Sequence, residues 1–512
     1  MARQPVPLTA GLIALGLALL TLGTAGVVMA NGNGLRLSDA DFAALQFTLL
    51  QAALSALFSV GLAIPLARAL ARRRFAGRGV LITLLGAPFL LPVIVAVLGL
   101  LTVFGRAGWV NDALALAGLP PVAIYGLQGV VIAHVFLNLP LATRMILQGW
   151  QAIPAERLRL AAALDLPPAA ILRHLEWPML RNILPGATIT ILTICLTSFA
   201  VALTLGGGPR ATTIELGIYQ ALRFEFDLGH AASLASLQFA IGATAACVAW
   251  SVAPTFGFGA GLDRGYHLAP TGWRLCADAA VILLAAAFLL LPLSAITLRG
   301  IGGLANLPAS VWPAALRSLL IAIPSAMLAT AAALCLALAV ARGGLRLLDL
   351  SALLPLATSN LVLGTGLFLL LQPVVSVAKL ALPVTLMVNA ALALPFVYRL
   401  ILPQAQALHR DYARLTAALG LSGFSAFALI TLPRLARPLG FGTGVAAALS
   451  IGDLGVIALF AGEAQATLPL VIHRLMGAYR TDAAAAAALI LVLMAFALFA
   501  LFDLGGRCAA PE

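Results

Sequence analysis

Residues 159–178, RLAAALDLPPAAILRHLEWP, and residues 414–433, RLTAALGLSGFSAFALITLP, are two copies of one element. An Arg-Leu pair, an Ala-Ala-Leu sequence, a further Leu and a final Pro recur at a constant offset of 255 residues. A repeat spaced by half of a 512-residue chain indicates an internal duplication. The chain is therefore expected to consist of two related halves.

Each copy predicts two short helices separated by a turn. Gly420 ends the first helix of one copy, because glycine adopts the left-handed C-terminal conformation without steric cost. Asp165 stands at that place in the other copy, and the prolines that follow it suit the first turn of a new helix. One face of the second helix is apolar in each copy: Ile171, Leu172 and Leu175 in the first, Phe427 and Ile430 in the second. A single copy could pack on the chain's own membrane domain, whereas two copies favour docking on a two-fold symmetric partner.

Both segments resemble the coupling loops, called EAA loops, of permease subunits in binding-protein-dependent ABC importers. That pattern runs Glu-Ala-Ala, three residues, Gly, and an apolar helix ending in Leu-Pro; here Arg159 and Arg414 replace the Glu, and Asp165 replaces the first Gly. The resemblance implies that the loops dock a separate ATPase. The residues that it assigns to ATPase coupling are Arg159, Ala162, Ala163, Leu164, Asp165, Leu172, Pro178, Arg414, Ala417, Ala418, Leu419, Gly420, Phe427 and Pro433.

The similarity extends over nearly the whole chain, and residues 198–222 and 449–460 resemble the fused permease of thiamine importers. It implies the type I importer permease fold, a periplasmic binding protein, two copies of an ATP-hydrolysing subunit, and thiamine as cargo, with its phosphate esters as a further option. Related permeases carry ferric iron or other small solutes, so a different cargo is the alternative. An ion-coupled secondary transporter is less favoured, because the repeated signal lies in a loop rather than in broken helices at mid-membrane.

The composition indicates a lipid environment. Hydrophobic residues make up 62% of the chain and charged residues 9%, and the mean hydropathy is +1.07; soluble proteins are about 25% charged. The formal charge of +12 does not indicate nucleic-acid binding, because the arginines lie in loops between apolar segments. We therefore predict an all-α polytopic protein of the bacterial inner membrane.

Apolar segments of about 20 residues predict about 12 spans, arranged as two parallel six-helix repeats. They cover 9–29, 46–70, 80–104, 122–146, 184–206, 231–254, 275–298, 314–341, 348–372, 380–402, 438–461 and 483–504. With the N-terminus inside, 21 of the 30 basic residues are cytoplasmic, so both termini and both loops are placed there. The predicted parts are a first repeat 1–254 with coupling loop 150–182, a cytoplasmic linker 255–273, and a second repeat 274–512 with coupling loop 404–437. Upstream of the loops the offset becomes 270, which aligns Thr48 with Ser318.

No enzyme chemistry is indicated. A phosphate-binding P-loop needs a lysine after its glycines, and the only lysine, Lys379, lies in the sequence VAKLAL. The five cysteines are too scattered for a metal or redox site and are expected to be small core residues. We therefore predict a transport subunit with no cofactor, no metal and no ATPase site of its own.

Asp453 is the ionisable residue predicted to line the translocation pathway. It lies about 15 residues, hence about 22 Å, into a predicted span, where a charge is costly unless it faces water or a partner. Ser198 is its counterpart at the 255-residue offset. The alternative is a structural Asp that caps a helix break at Gly452 or Gly455. The carboxylates expected to dock the binding protein on the outer face are Glu215, Glu225, Asp227, Glu463 and Asp482.

Overall fold

A computed structural model describes residues 8–32, 37–85, 91–206, 208, 211–252, 272–343 and 346–510. Helices account for most of these residues, and none of them forms a strand. The all-α prediction is therefore confirmed. Residues 255–271 of the predicted linker lie outside the described residues.

Twenty helical segments organise the described chain. Those of the first half are α1 (Leu8–Asn31), α2 (Asp39–Arg72), α3 (Arg78–Leu84), α4 (Val93–Phe104), α5 (Trp109–Leu116), α6 (Leu127–Gln151), α7 (Ala155–Ala163), α8 (Pro168–Leu196), α9 (Phe199–Leu205), α10 (Ile214–Gln220) and α11 (Leu228–Val252). Those of the second half are α12 (Trp273–Gly303), α13 (Val311–Ala341), α14 (Arg346–Ala357), α15 (Asn360–Leu371), α16 (Ala381–Ala418), α17 (423–451), α18 (Gly455–Phe460), α19 (Leu468–Gly477) and α20 (Thr481–Cys508).

The membrane prediction is confirmed. In the part of the chain that the structure describes, 11 helical segments are long and apolar enough to cross a membrane, or 12 if the bent pair α14–α15 forms one span. Four predicted spans are not single helices: 80–104, 184–206, 348–372 and 438–461. The span predicted at 348–372 bends by 94° between α14 and α15, and the span predicted at 80–104 begins with α3, which ends at Leu84, and resumes at Val93. Apolar composition alone does not reveal such breaks.

The duplication is visible in the helix boundaries. Trp177–Leu196 and Leu432–Ile451 are both 20-residue α-helical segments, and their first residues differ by the 255-residue offset. A five-residue π-helical turn precedes each of them, at Leu172–Glu176 and Phe427–Thr431. Such a turn is rare in proteins, so its occurrence at matching positions supports a common origin of the halves.

Side-chain contacts repeat as well. The Thr48 hydroxyl accepts a hydrogen bond from the Ile214 N–H at 3.0 Å, and the Ser318 hydroxyl accepts one from the Leu468 N–H at 2.9 Å. Each hydroxyl therefore holds the start of a short helix, α10 or α19, against the second helix of its own half. The alignment of Thr48 with Ser318 at the 270-residue offset is confirmed by this geometry.

The two halves interlock through their first helices. α1 packs against α13 and α15 of the second half, and α12 packs against α2 and α4 of the first. A Cβ atom at Gly366 in α15 would lie 2.5 Å from Cβ of Thr24 in α1, so only glycine permits this approach. Arg73 also pairs with Asp278 of α12 at 2.8 Å. The repeats therefore form one continuous membrane core.

The expectation for the cysteines is wrong at three positions. Cys195 is buried, but Cys247, Cys276 and Cys508 are exposed. An apolar position on a membrane helix can face lipid as readily as the protein core, so a hydrophobic sequence does not decide burial there.

Candidate coupling loops and transport pathway

The predicted turn between the loop helices has the same geometry in both halves. The N–H groups of Asp165 and Leu166 donate to carbonyls of the preceding turn at 3.1 and 3.0 Å, and those of Gly420 and Leu421 do the same at 3.1 and 3.0 Å. This pattern is the Schellman motif, which needs a left-handed residue. Asp165 has φ 43° and Gly420 has φ 61°. Asp165 therefore adopts the conformation that the second half assigns to glycine.

We expect Asp165→Gly to leave the melting temperature of the purified protein unchanged or slightly raised, because glycine adopts this φ freely. Asp165→Val should lower the melting temperature of the purified protein, since a left-handed conformation costs a residue with a Cβ about 1–2 kcal/mol and a β-branched one is disfavoured further. Thermal unfolding of the two purified variants provides the check. An unchanged Asp165→Val protein would contradict the assigned turn.

Most residues assigned to coupling are exposed. Leu164 and Leu419, at the ends of the first loop helices, are 62% and 61% exposed although both are large and apolar. Phe427 and Pro433 are half-buried, whereas Ile171 is buried in the chain's own core. The inner face of the second loop helix thus packs on the membrane domain, and the leucines remain free to meet a partner. The exposed members of the set are Arg159, Ala162, Ala163, Leu164, Asp165, Leu172, Pro178, Arg414, Ala417, Ala418, Leu419 and Gly420.

The two loops differ in how they begin, which corrects one expectation. The first loop helix of the second half is not a separate short helix but the end of α16, which runs for 38 residues. In the first half α6 ends at Gln151, and α7 begins after Pro154. Proline lacks the N–H that a continuing helix needs. His409 occupies the corresponding position at the 255-residue offset and permits the continuous helix.

An ion cluster fastens the first loop to the membrane domain. Glu176, at the end of the loop's π-helical turn, is buried and pairs with Arg68 at 2.9 Å and with Arg72, both from the last turns of α2. Its counterpart in the second half is Thr431. Arg68 and Arg72 are four residues apart and share a helix face, a spacing that signals a possible carboxylate partner but does not identify it. The sequence analysis missed this contact for that reason.

Both halves contain a broken helix at the position of the predicted pathway residues. α8 ends at Leu196 and α9 begins at Phe199, so Ser198 lies in the gap. α17 ends at residue 451 and α18 begins at Gly455, so Asp453 lies in the matching gap. Asp453 therefore lies within the apolar span Gly423–Phe460, at a break in its helix. Breaks at membrane depth require that freed backbone groups find partners inside the protein.

Amide side chains supply those partners. Nε2 of Gln51 donates to the Cys195 carbonyl at 3.0 Å, and Nε2 of Gln238 donates to the Leu196 carbonyl at 2.9 Å. In the second half Nδ2 of Asn389 donates to the Ser450 carbonyl at 3.2 Å. The carbonyls of Cys195, Leu196 and Ser450, near the ends of the broken helices, therefore accept hydrogen bonds from side chains of other helices.

Asp453 contacts two elements at the break in α17–α18. Its Oδ1 accepts hydrogen bonds from the Gly455 N–H at 3.2 Å and from the side-chain amide of Asn360 at the start of α15. Its Oδ2 is buried and has no hydrogen-bond partner among the described residues. A Cβ atom at Gly452 would lie 2.9 Å from Cβ of Pro92 in the first half. Asp453 thus caps the break, as the structural alternative predicts, and also presents one unpaired oxygen beside the interface between the halves.

The predicted binding-protein contacts differ in exposure. Glu225, Asp227 and Asp482 are exposed, and Asp227 also caps α11 by accepting from the His230 N–H at 2.9 Å. Glu215 is only 1% exposed, so its assignment to a docking surface is wrong. It is buried because α10 packs against α2, α11 and α15. The Glu463 side chain lies outside the described residues.

Up to 12 apolar spans in two interlocked halves, with an exposed helical loop repeated in each half, define a polytopic permease of the ABC importer class. No protein-family model matches the chain. It is 38% identical over 485 residues to the thiamine transport system permease protein ThiP of Salmonella typhimurium, covering 91% of this chain and 90% of that protein. The chain belongs to the family of thiamine transport system permease proteins.

Two further relatives show how far the similarity extends. The thiamine transport system permease protein ThiP of Haemophilus influenzae is 35% identical over 471 residues, covering 89% of this chain and 87% of its own length. A probable sulfate transport system permease protein of Zygnema circumcarinatum is 31% identical over 147 residues, which cover 28% of this chain and 50% of that protein. The thiamine permeases therefore match both halves, and the sulfate permease matches a part.

Proposed function

We propose that this chain is the permease of an ABC importer that moves thiamine from the periplasm to the cytoplasm. The observation that carries the proposal is the pair of exposed coupling loops, each ending its first helix in the same turn and exposing Leu164 or Leu419. A large apolar side chain that is exposed at the same place in both loops indicates that each loop contacts a partner. Family membership supports the choice of thiamine as cargo.

The partner at these loops is a pair of ATP-hydrolysing subunits. The chain has a single lysine, Lys379, which is not part of a P-loop, so the energy for transport comes from another chain. ATP-driven closure of that pair moves the two loops and, through α7–α8 and α16–α17, the two halves. The Glu176 ion cluster transmits the motion of the first loop to α2.

The orientation follows the distribution of arginine. With the termini and coupling loops in the cytoplasm of a bacterial inner membrane, most basic residues are cytoplasmic. The opposite ends of the helices then meet a periplasmic binding protein. The exposed carboxylates Glu225, Asp227 and Asp482 lie on that side and supply the docking surface.

Asp453 and Ser198 line the translocation pathway at the two helix breaks. Broken helices at matching positions of two repeats are typical of substrate sites in transporters. Thiamine carries a fixed positive charge, and the unpaired Oδ2 of Asp453 offers a partner for it beside the interface between the halves.

Uptake measurements test the proposed cargo. Cells that lack their own thiamine transport and express this chain with its ATPase and binding protein should take up radiolabelled thiamine, and excess unlabelled thiamine should compete. Ferric iron and sulfate serve as the comparison cargoes, because related permeases carry them. Uptake of either of these, with no thiamine uptake, would reject thiamine as the cargo.

One permease chain should assemble with two ATPase chains. Each half supplies one coupling loop, so a single chain offers the two docking sites that unfused permeases provide as a dimer. Native mass spectrometry of the purified complex measures this ratio directly. A mass corresponding to two permease chains per ATPase pair would contradict it.

A further inference from the structure

Three buried side chains near the break in α8 carry four acceptor oxygens that make no hydrogen bond within the described residues. Both carboxylate oxygens of Glu215 and the Oε1 atoms of Gln51 and Gln238 have no hydrogen-bond partner among the described residues. Each of the three side chains is 1% exposed. Gln51 and Gln238 each donate an N–H to the adjacent carbonyls of Cys195 and Leu196.

Glu215 lies close to this pair of amides. The side chains of Gln238 and Ser359 are its polar neighbours, and the adjacent Ile214 N–H is bonded to Thr48, one turn before Gln51 in α2. None of the ion pairs formed by the described residues includes Glu215. Glu215 lies on α10, which is between two spans. Burial raises the pKa of its carboxyl, and the side chains of Ser359 and Gln238 offset part of this rise. A buried carboxylate without a basic neighbour is stable only when a cation or a proton accompanies it.

The second half has no polar side chains at the corresponding positions. At the offsets that relate the halves, Gln51 corresponds to Ile321 and Gln238 to Leu493. Glu215 corresponds to Pro469, because Ile214 and Leu468 make equivalent hydrogen bonds. The second half therefore builds the corresponding helices with apolar side chains at these three positions.

We propose that Glu215, with the amide oxygens of Gln51 and Gln238, forms a site in the first half for the positively charged cargo. A ligand that fits is an organic cation that also carries N–H donors, because the carboxylate oxygens of Glu215 and the Oε1 atoms of Gln51 and Gln238 accept hydrogen bonds. Thiamine has both a positively charged ring and an amino group. The choice of thiamine as the cation rests on the proposed function.

The position of the site connects it to the pathway at Asp453. Ser359, a neighbour of Glu215, and Asn360, the partner of Asp453, are consecutive residues at the bend between α14 and α15. A Cβ atom at Gly242 of α11 would lie 2.7 Å from the Ala357 carbonyl, so the first half approaches this bend closely. One carboxylate from each half thus flanks the same bend, and a cation released by one can be received by the other.

The variant Glu215→Gln separates cargo binding from a structural role. Glutamine keeps the side-chain volume, and its amide N–H can donate to Gln238, so a purely structural site would work as well or better. We expect uptake of limiting thiamine by reconstituted complex to fall at least tenfold, while ATPase stimulation by loaded binding protein stays within twofold of wild type. Asp112→Asn is the matched control, because it makes the same change from carboxylate to amide at an exposed position in α5. It should leave the uptake and ATPase rates within twofold of wild type.

Uptake by Glu215→Gln within twofold of wild type would overturn the inference. If the variant does not assemble, labelling of the unmodified complex decides instead. A lipid-soluble carbodiimide should modify Glu215, detected by mass spectrometry, and thiamine supplied during turnover should slow the labelling at least threefold. Equal labelling with and without thiamine would also overturn it. Absence of thiamine uptake by the wild-type complex would instead refute the proposed function.

Discussion

Leu164→Asp or Leu419→Asp is expected to lower thiamine uptake at least tenfold while the protein remains in the membrane. Burying one leucine in an interface contributes about 1.5–3 kcal/mol, and placing a carboxylate there costs several kcal/mol more. Each 1.4 kcal/mol corresponds to a tenfold change in affinity for the ATPase. Because both leucines are more than 60% exposed in the isolated chain, their replacement leaves the fold of the permease intact.

The measurement compares uptake, ATPase rate and membrane abundance for each variant. The expected pattern is normal abundance, reduced uptake and an ATPase rate that no longer responds to loaded binding protein. Leu164→Met is the matched control, since it keeps an apolar side chain of similar volume. Loss of the protein from the membrane would show that Leu164 supports the chain's own packing, and normal uptake would exclude a coupling role.

Asp453→Asn is expected to lower thiamine uptake at least tenfold with assembly preserved. The asparagine Oδ1 can still accept from the Gly455 N–H and from Asn360, so the cap on the α17–α18 break is retained. Only the negative charge is lost. A carboxylate beside the interface between the halves stabilises a passing cation, whereas the net anionic thiamine diphosphate gains less from it.

The experiment measures two quantities: thiamine uptake at limiting concentration, and stimulation of the ATPase by loaded binding protein. Asp503→Asn is the matched control, because Asp503 lies in the last span but is paired with Arg507 at 2.7 Å, away from the breaks. It should leave uptake within twofold of wild type. Unchanged uptake in Asp453→Asn would leave Asp453 with the structural role alone.

The class of protein was accessible from the sequence because its signals are local or periodic. Hydrophobic segments of membrane length depend on composition, and the duplication is a direct comparison of 159–178 with 414–433. The loop turn was accessible for the same reason: glycine at 420 stops a helix whatever surrounds it. Even Asp165, placed at that position by the repeat, proved to be left-handed.

Tertiary structure alone decided which polar groups are buried and what they meet. Glu215 and Glu225 both lie between the same two spans, yet Glu215 is buried and Glu225 is exposed. Glu215 is buried because it lies on α10, which packs against α2, α11 and α15. The pairing of Glu176 with Arg68 joins residues about 100 positions apart. The sequence by itself determined the spans, the repeat and the loops, since these depend on neighbouring residues. Packing between distant helices determined which carboxylates are buried, since burial depends on every element that surrounds a side chain.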